Sequence, residues 1–305
     1  MRNIKTHHYL YLFAILISKI AMAQQTPSFP EYNYNPMLIN PAYTGMTSGP
    51  EITLSHNGYV GSIPGSSQTS AFSFHTPAAQ AKMGLGAAVY HDKIGVTTNT
   101  NVFLSYSYKI FFDLKNDRPS WEIYDQHVLS FGITAGVRQF RENLLELGIP
   151  DDPVFSENIR ADIPSVGVGF LYHRADFYIG ISAPNILGDR LASRDDLHLS
   201  NPVYGYVGYR FFADRFDEVI VKPNLLIKNE SGAPLQADIN ISTSFRNKFE
   251  IGAGYRSSAS INFMAGIYLF RHFRLLYHYN TGRRNSVSGN SHGVVITYAF
   301  GNYSY

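Results

Sequence analysis

Val102-Phe103-Leu104-Ser105-Tyr106-Ser107-Tyr108-Lys109-Ile110-Phe111-Phe112 alternates along its length. Val102, Leu104, Tyr106, Tyr108, Ile110 and Phe112 share one parity, and Ser105, Ser107 and Lys109 hold the other. A strand sends successive side chains to opposite faces, so the stretch has one apolar and one polar face. Residues 236–245 repeat the pattern: Ala237, Ile239, Ile241 and Phe245 stand against Gln236, Asp238, Asn240, Ser242 and Ser244. No amphipathic helical stretch separates such segments. Apolar sheet faces with no helix to pack on meet lipid, and that is the signature of a transmembrane β-barrel.

Working outward, the periodicity predicts an all-β chain: a transmembrane antiparallel β-barrel of about 14 strands. The strands fall near 51–59, 67–76, 82–91, 96–112, 126–140, 162–172, 175–184, 201–213, 218–229, 235–245, 248–256, 259–270, 272–281 and 291–301. Several are about 10 residues long, as a tilted strand needs to cross the hydrocarbon. An even count returns both termini to one side. The long connections 141–161, 185–200 and 282–290 all fall at the opposite end. The termini's end is joined tightly, by His173-Arg174 and by Arg271 alone, with 113–125 as the exception. Short periplasmic turns and long outer loops are the barrel asymmetry, which a soluble sandwich has no reason to show.

The N-terminus supplies the address. Arg2 and Lys5 precede the short apolar run Tyr9 to Ile17, and Ala21-Met22-Ala23 is a small-x-small site with cleavage expected between Ala23 and Gln24. This reads as a secretory signal peptide over residues 1–23, too short to span a bilayer. Residues 24–50 are Pro- and Asn-rich and lack alternation, and residues 51–305 form the barrel. The chain has no cysteine, which excludes a lipoprotein anchor, disulfides and thiolate metal sites. It carries 22 Tyr and 21 Phe, enough to furnish aromatic girdles at the membrane interfaces. Losing Arg2, Lys5 and Lys19 with the leader leaves 22 basic against 23 acidic residues. A near-neutral chain without a basic block offers no electrostatic case for nucleic acid.

The polar face is small as well as polar. Gly84 and Gly86, Gly167 and Gly169, and Gly252 and Gly254 alternate with apolar residues. Inward glycines mark a bend or the close approach of another backbone. Residues 24–50 are the candidate to fill the lumen; a periplasmic tail is the other reading, and pattern alone leaves both open.

The same residues carry a resemblance. Tyr32-x-x-Asn35-Pro36, then Ile39-Asn40-Pro41-Ala42-Tyr43-Thr44-Gly45, resembles the opening of the PorP/SprF family of type IX secretion outer-membrane proteins of Bacteroidetes. Met83-Gly84-Leu85-Gly86, Asp92-x-Ile94-Gly95, Leu129-Ser130-Phe131-Gly132, Pro184-Asn185, Lys222-Pro223-x-Leu225-Leu226-x-Lys228 and Ser291-His292-Gly293 to Phe300 continue it in order. Asn35, Pro36, Asn40, Pro41, Ala42 and Gly45 are the family-motif residues, structural or lumen-filling. Two places depart from the family: Ser55-His56-Asn57-Gly58-Tyr59 lacks its Arg and Trp, and His292-Gly293 stands for its His-Glu. The resemblance implies a non-enzymatic barrel that supports secretion and surface attachment of type IX cargo such as large adhesins. Its implied partners are outer-membrane lipid, the C-terminal domain of a secreted cargo protein, and lipoproteins of the secretion and gliding machinery.

The mature chain has nine His, namely His56, His75, His91, His127, His173, His198, His272, His278 and His292, and none forms a metal-ligand spacing. No glycine elbow surrounds a Ser. Neither a catalytic site nor a cofactor is expected. Asp151-Asp152 and Asp195-Asp196 read as solvated loop acids. Arg138, Arg210, Arg256 and Arg274 lie on predicted strands, where lumen pairing with Asp238 or Glu250 is expected. The competing functional reading is a passive porin or small-solute channel.

Overall fold

In the sheet, the polar parity turns inward and the apolar parity outward. Ser107 has no exposure, while Leu104, three residues away, is 69% exposed. Fully buried serines opposite exposed leucines invert the soluble rule and require lipid around the wall. The computed structural model describes residues 30–59, 65–112, 127–149, 156–174, 176–187, 201–213, 218–231, 233–257, 260–270, 272–281 and 290–300.

The described strand segments are β1 (Glu51–Tyr59), β2 (Gln68–Ala78), β3 (Met83–Ile94), β4 (Thr97–Phe112), β5 (His127–Glu142), β6 (Ile159–Arg174), β7 (Phe177–Ala183), β8 (Val203–Tyr209), β9 (Phe211–Phe212), β10 (Val219–Asn229), β11 (Gln236–Phe245), β12 (Phe249–Arg256), β13 (Ser260–Leu269), β14 (Phe273–Asn280) and β15 (Ser291–Ala299). All pairings are antiparallel between chain neighbours, and β1 also pairs with β15, which closes the ring. Segments β8 and β9 both pair with β10 and are halves of one strand, so the barrel has fourteen strands. Closure removes every sheet edge, and so satisfies backbone groups that lipid cannot.

The register shows where the membrane ends. His56, Ser70, His91, Thr100, Gln139 and Asp162 are cross-strand neighbours in one outward row over β1–β6. The next outward row, Leu54, Phe72, Val89, Val102, Val137 and Pro164, contains no polar side chain. The wall therefore changes from lipid-facing to water-facing within one register step. From Thr100, β4 continues for ten residues to Ile110. That is about 33 Å of strand, or about 25 Å of height at the tilt usual in barrels. Outward aromatics gather at the far end, with Phe131 edge-on to Phe170 and Tyr209 packed on Phe211.

Above the polar row the pattern reverses. Phe140 and Ala161 pack inward, against Ile163 just below, while Arg141 and Arg160 face out. Strands β5 and β6 therefore run longer than the alternation predicts, and residues 141–142 and 159–161 of the expected outer loop are strand. The expected turn at His173-Arg174 lies inside β6, and β7 begins at Phe177. The expected single strand 201–213 is broken at Arg210. Pro223, which has no amide hydrogen to give the ladder, pairs with Ile241 on β11 and stands opposite the break. Residues 113–125 and most of 185–200 and 282–290 lie outside the described residues, as do the leader, Ala23, Gln24 and both acidic pairs.

Candidate functional site

The lumen is filled from within the chain. Three 3-10 turns, Pro30–Asn33, Pro36–Leu38 and Pro41–Tyr43, each begin with proline. Proline presets the first dihedral of a turn and gives up an amide that has no partner there. Met37, Asn40, Ala42 and Thr44 are buried against the inner wall. The segment enters beside β1, passes over β4 to β7, and reaches β10 to β14 through Tyr32 and Tyr34.

Its backbone is held by the wall's serines. Ser107 donates to the Thr44 carbonyl at 2.6 Å, Ser130 to the Ala42 carbonyl at 2.6 Å, and Ser182 to the Ile39 carbonyl at 2.7 Å. Lys109 donates to the Gly45 carbonyl. These short donors sit on β4, β5 and β7 at the polar parity read from the sequence. A carbonyl buried without a donor costs about 1–3 kcal/mol, so the inner wall's chemistry matches what this segment requires.

Asn40 organises the middle turn. Its side-chain oxygen accepts from the Ala42 amide at 2.8 Å, and its amide group donates to the Phe170 carbonyl at 3.0 Å and the Tyr206 hydroxyl at 2.9 Å. Pro41 follows at the first turn position, and Ala42 lies against Gly132. A β-carbon at Gly132 would overlap the Ala42 amide and Pro41; one at Gly169 would overlap the Asn40 side chain; one at Gly84 would overlap the Thr44 carbonyl. Gly45 has φ +64°, and a β-carbon there would meet Gly84 at 2.7 Å and the Thr76 carbonyl at 2.8 Å. Asn35 accepts from Ser73 at 3.1 Å, and Pro36 opens the second turn. All six motif residues thus lie on one filled lumen.

Of the expected inward glycines, Gly84, Gly86 and Gly169 do face this segment. Gly252 and Gly254 are instead covered by side chains, Gly252 by Met264 and Gly254 by Asn240 and Asn262. Gly167 faces the Pro184 carbonyl. Ser130, Ser182 and Gly132 do their work on the segment without a signal of their own in the sequence. They look like any other small residue on a lumen face.

On the β10–β14 side the anchors are phenols. Tyr34 donates to Glu250 at 3.3 Å, and the Tyr32 hydroxyl meets Asn240 and Asn224. Arg274 donates to the Tyr34 carbonyl at 3.0 Å and lies 5.0 Å from its ring centre. Burial pushes the Tyr43 phenol up to about 12 and raises Tyr32 and Tyr34 as well, so all three stay protonated. The expected ion pairs divide. Asp238 takes Arg256 at 2.7 Å, whereas Glu250 takes Lys222 at 3.5 Å and Ser242 at 2.8 Å. Arg138 donates to Asn99 at 2.8 Å rather than to an acid. Among the described residues, no group of three His, Asp or Glu side chains could hold a metal ion.

A closed fourteen-strand barrel with an apolar outer wall and a filled polar lumen is an outer-membrane protein. The family model "Type IX secretion system membrane protein PorP/SprF" matches residues 21–298, and the chain belongs to that family. A search of curated protein sequences finds no match. Among solved structures, it is similar to the Pseudomonas putida toluene transporter TodX, at 11% identity and TM-score 0.46, over 92% of this chain and 96% of that one. It is also similar to a Pseudomonas aeruginosa FadL homologue, at 11% identity and TM-score 0.44 over 90% and 95% of the two chains. The Acinetobacter baumannii protein Omp33 is similar at 8% identity and TM-score 0.46, over 84% and 100%. At these values the likeness carries no argument about ligands.

Proposed function

We propose that this barrel is a docking protein of the type IX secretion system, supporting secretion of particular cargo and holding it at the cell surface. The observation that carries this reading is the filled lumen in a chain of the PorP/SprF family. A passive porin needs an open path, and here the chain's own backbone is hydrogen-bonded across it. What the barrel then offers a partner is its two rims. Cargo such as a large adhesin, through its C-terminal domain, meets the outer rim, where β5 and β6 project beyond the polar row. Machinery lipoproteins, including those of gliding, meet the end where the termini lie.

The test is affinity purification of the tagged chain from mildly solubilised, crosslinked outer membranes, with mass spectrometry of what accompanies it. Recovery of a large secreted protein or machinery lipoproteins supports docking. A partnerless barrel speaks against it. Removing residues 144–157, which leaves both strands whole, should release cargo while the barrel stays folded and heat-modifiable on gels. Unchanged cargo retention would sink the outer-rim assignment.

A further inference from the structure

The outward face carries a cationic row at its outer end. Above the polar row from His56 to Asp162, the next outward row runs Gly58, Gln68, Lys93, Thr98, Arg141 and Arg160 across β1 to β6. It holds three cations and no acid. Two residues along a tilted strand rise about 5 Å, and the headgroup layer beyond the hydrocarbon is about 5–7 Å deep on each side. The cations therefore stand at the level of the outer leaflet's headgroups.

Lys93, Arg141 and Arg160 are all exposed. Among the described residues, none of them takes part in an ion pair or a side-chain hydrogen bond. Asp162, the outward acid one row below, accepts from Gln139 at 3.0 Å. Arg141 and Arg160 are direct cross-strand partners. Like charges placed opposite each other destabilise a sheet. An anion between them cancels that repulsion, and guanidinium groups match phosphate oxygens through parallel hydrogen bonds. Lys93 stands three strand spacings from Arg160, about 14 Å, so the row can meet more than one phosphate of a single headgroup.

Below Lys93 the wall is indented. Leu54, Phe72, Val89, Val294 and Ile296, from the adjacent strands β15, β1, β2 and β3, line an open apolar groove. His56, Ser70 and His91 close its upper edge. Ser70, the short member of that edge, lies between the two imidazoles in the register. His56 shares a hydrogen bond with Ser70, and His91 with Thr100, both at 2.9 Å. Val89, His91 and Lys93 follow one another on the outward face of β3. A chain lying in the groove thus brings its headgroup against Lys93. Bulk lipid touches the whole wall. Here an apolar groove, a neutral polar edge and a cationic row are stacked in the order of a lipid's own parts: tail, polar linkage and phosphate.

From this we infer that the outer end of β15 and β1 to β6 binds one phosphate-bearing lipid of the outer leaflet, with an acyl chain in the groove and phosphates on Lys93, Arg141 and Arg160. The lipid-facing wall runs unbroken into the groove, which makes the occupant a membrane lipid rather than a free solute. The site is independent of cargo docking, because lipid binding can be measured on the purified barrel with no partner present.

The test is native mass spectrometry of the full barrel in detergent, titrated with diphosphorylated lipid A, with the same lipid stripped of its phosphates, and with inorganic phosphate as a competitor. One saturable lipid per barrel is expected, with the stripped lipid weaker by about tenfold or more, the effect of losing charge-assisted bonds. Arg141→Gln with Arg160→Gln should weaken the phosphorylated lipid by a similar factor. Lys248→Gln, at an exposed cation of the opposite end, should leave it unchanged. Val89→Trp, which fills the groove, should weaken both lipids. The inference is overturned if no lipid binds saturably, which would leave the cationic row to an acidic protein. It is also overturned if the two lipids bind alike, if Lys248→Gln weakens binding as much as the arginine pair does, or if Val89→Trp changes nothing. Displacement of the lipid by inorganic phosphate at equal concentration would name a free anion and overturn it too. The two lipids on the native chain decide the matter even if a variant does not fold.

Discussion

Asn40 shows how much one side chain settles. It caps its own turn and also fastens that turn to β6 and to Tyr206 on β8. Asn40→Ala should therefore cost about 2 kcal/mol in local stability, from a lost cap and an orphaned hydroxyl. Hydrogen exchange of residues 30–46 reads this directly, and unaltered protection would contradict it. Glycines supply a matched pair. Gly132→Ala places a methyl where the Ala42 amide sits and should dislodge the segment, making residues 30–46 cleavable by added protease. Gly205→Ala, at a position with nothing within 4 Å, should leave it protected. Equal cleavage of the two variants would show that close packing at Gly132 does not hold the segment. The motif Asn40-Pro41-Ala42-Tyr43-Thr44-Gly45 was legible because such residues in a non-alternating stretch ask for turns and close approach. Its partners Ser130 and Ser182 were not, since a serine that donates to a carbonyl looks no different from one that meets water.

At the scale of elements, alternation located nearly every strand, because lipid on one side and polar lumen on the other enforce a period of two. It failed where that enforcement stops. Beyond the row from His56 to Asp162, water replaces lipid, so the outward positions hold Arg141 and Arg160, the inward ones hold Phe140 and Ala161, and the polarity pattern changes sign. A reading keyed to one polarity begins β6 too late and ends β5 too soon there. It also missed the break at Arg210, because the cause lies on another strand, at Pro223. Pro223→Val should restore a donor to the ladder, giving position 223 an amide that exchanges slowly and adding about 1 kcal/mol locally. An amide at position 223 that exchanges as fast as an unpaired one would mean that the proline is not what interrupts the strand.

For the whole molecule, the strand number and the asymmetry of the two ends could be read from the chain, since both depend on spacing alone. The filling of the lumen could not. It depends on which donors face which carbonyls after closure, and residues 24–50 carry no period that would place them. The inward glycines pointed to something close by without naming it, and at Gly252 and Gly254 that something is only a neighbouring side chain. On the docking proposal, closure and filling together leave the two rims as the surfaces open to a partner. The most direct test is planar-bilayer conductance of the full chain beside a variant lacking residues 24–46, both verified as folded by heat-modifiable mobility. The full chain should be electrically silent and the shortened chain should form stable open channels. A full chain that conducts as well as the shortened one would contradict a lumen closed by its own N-terminal segment.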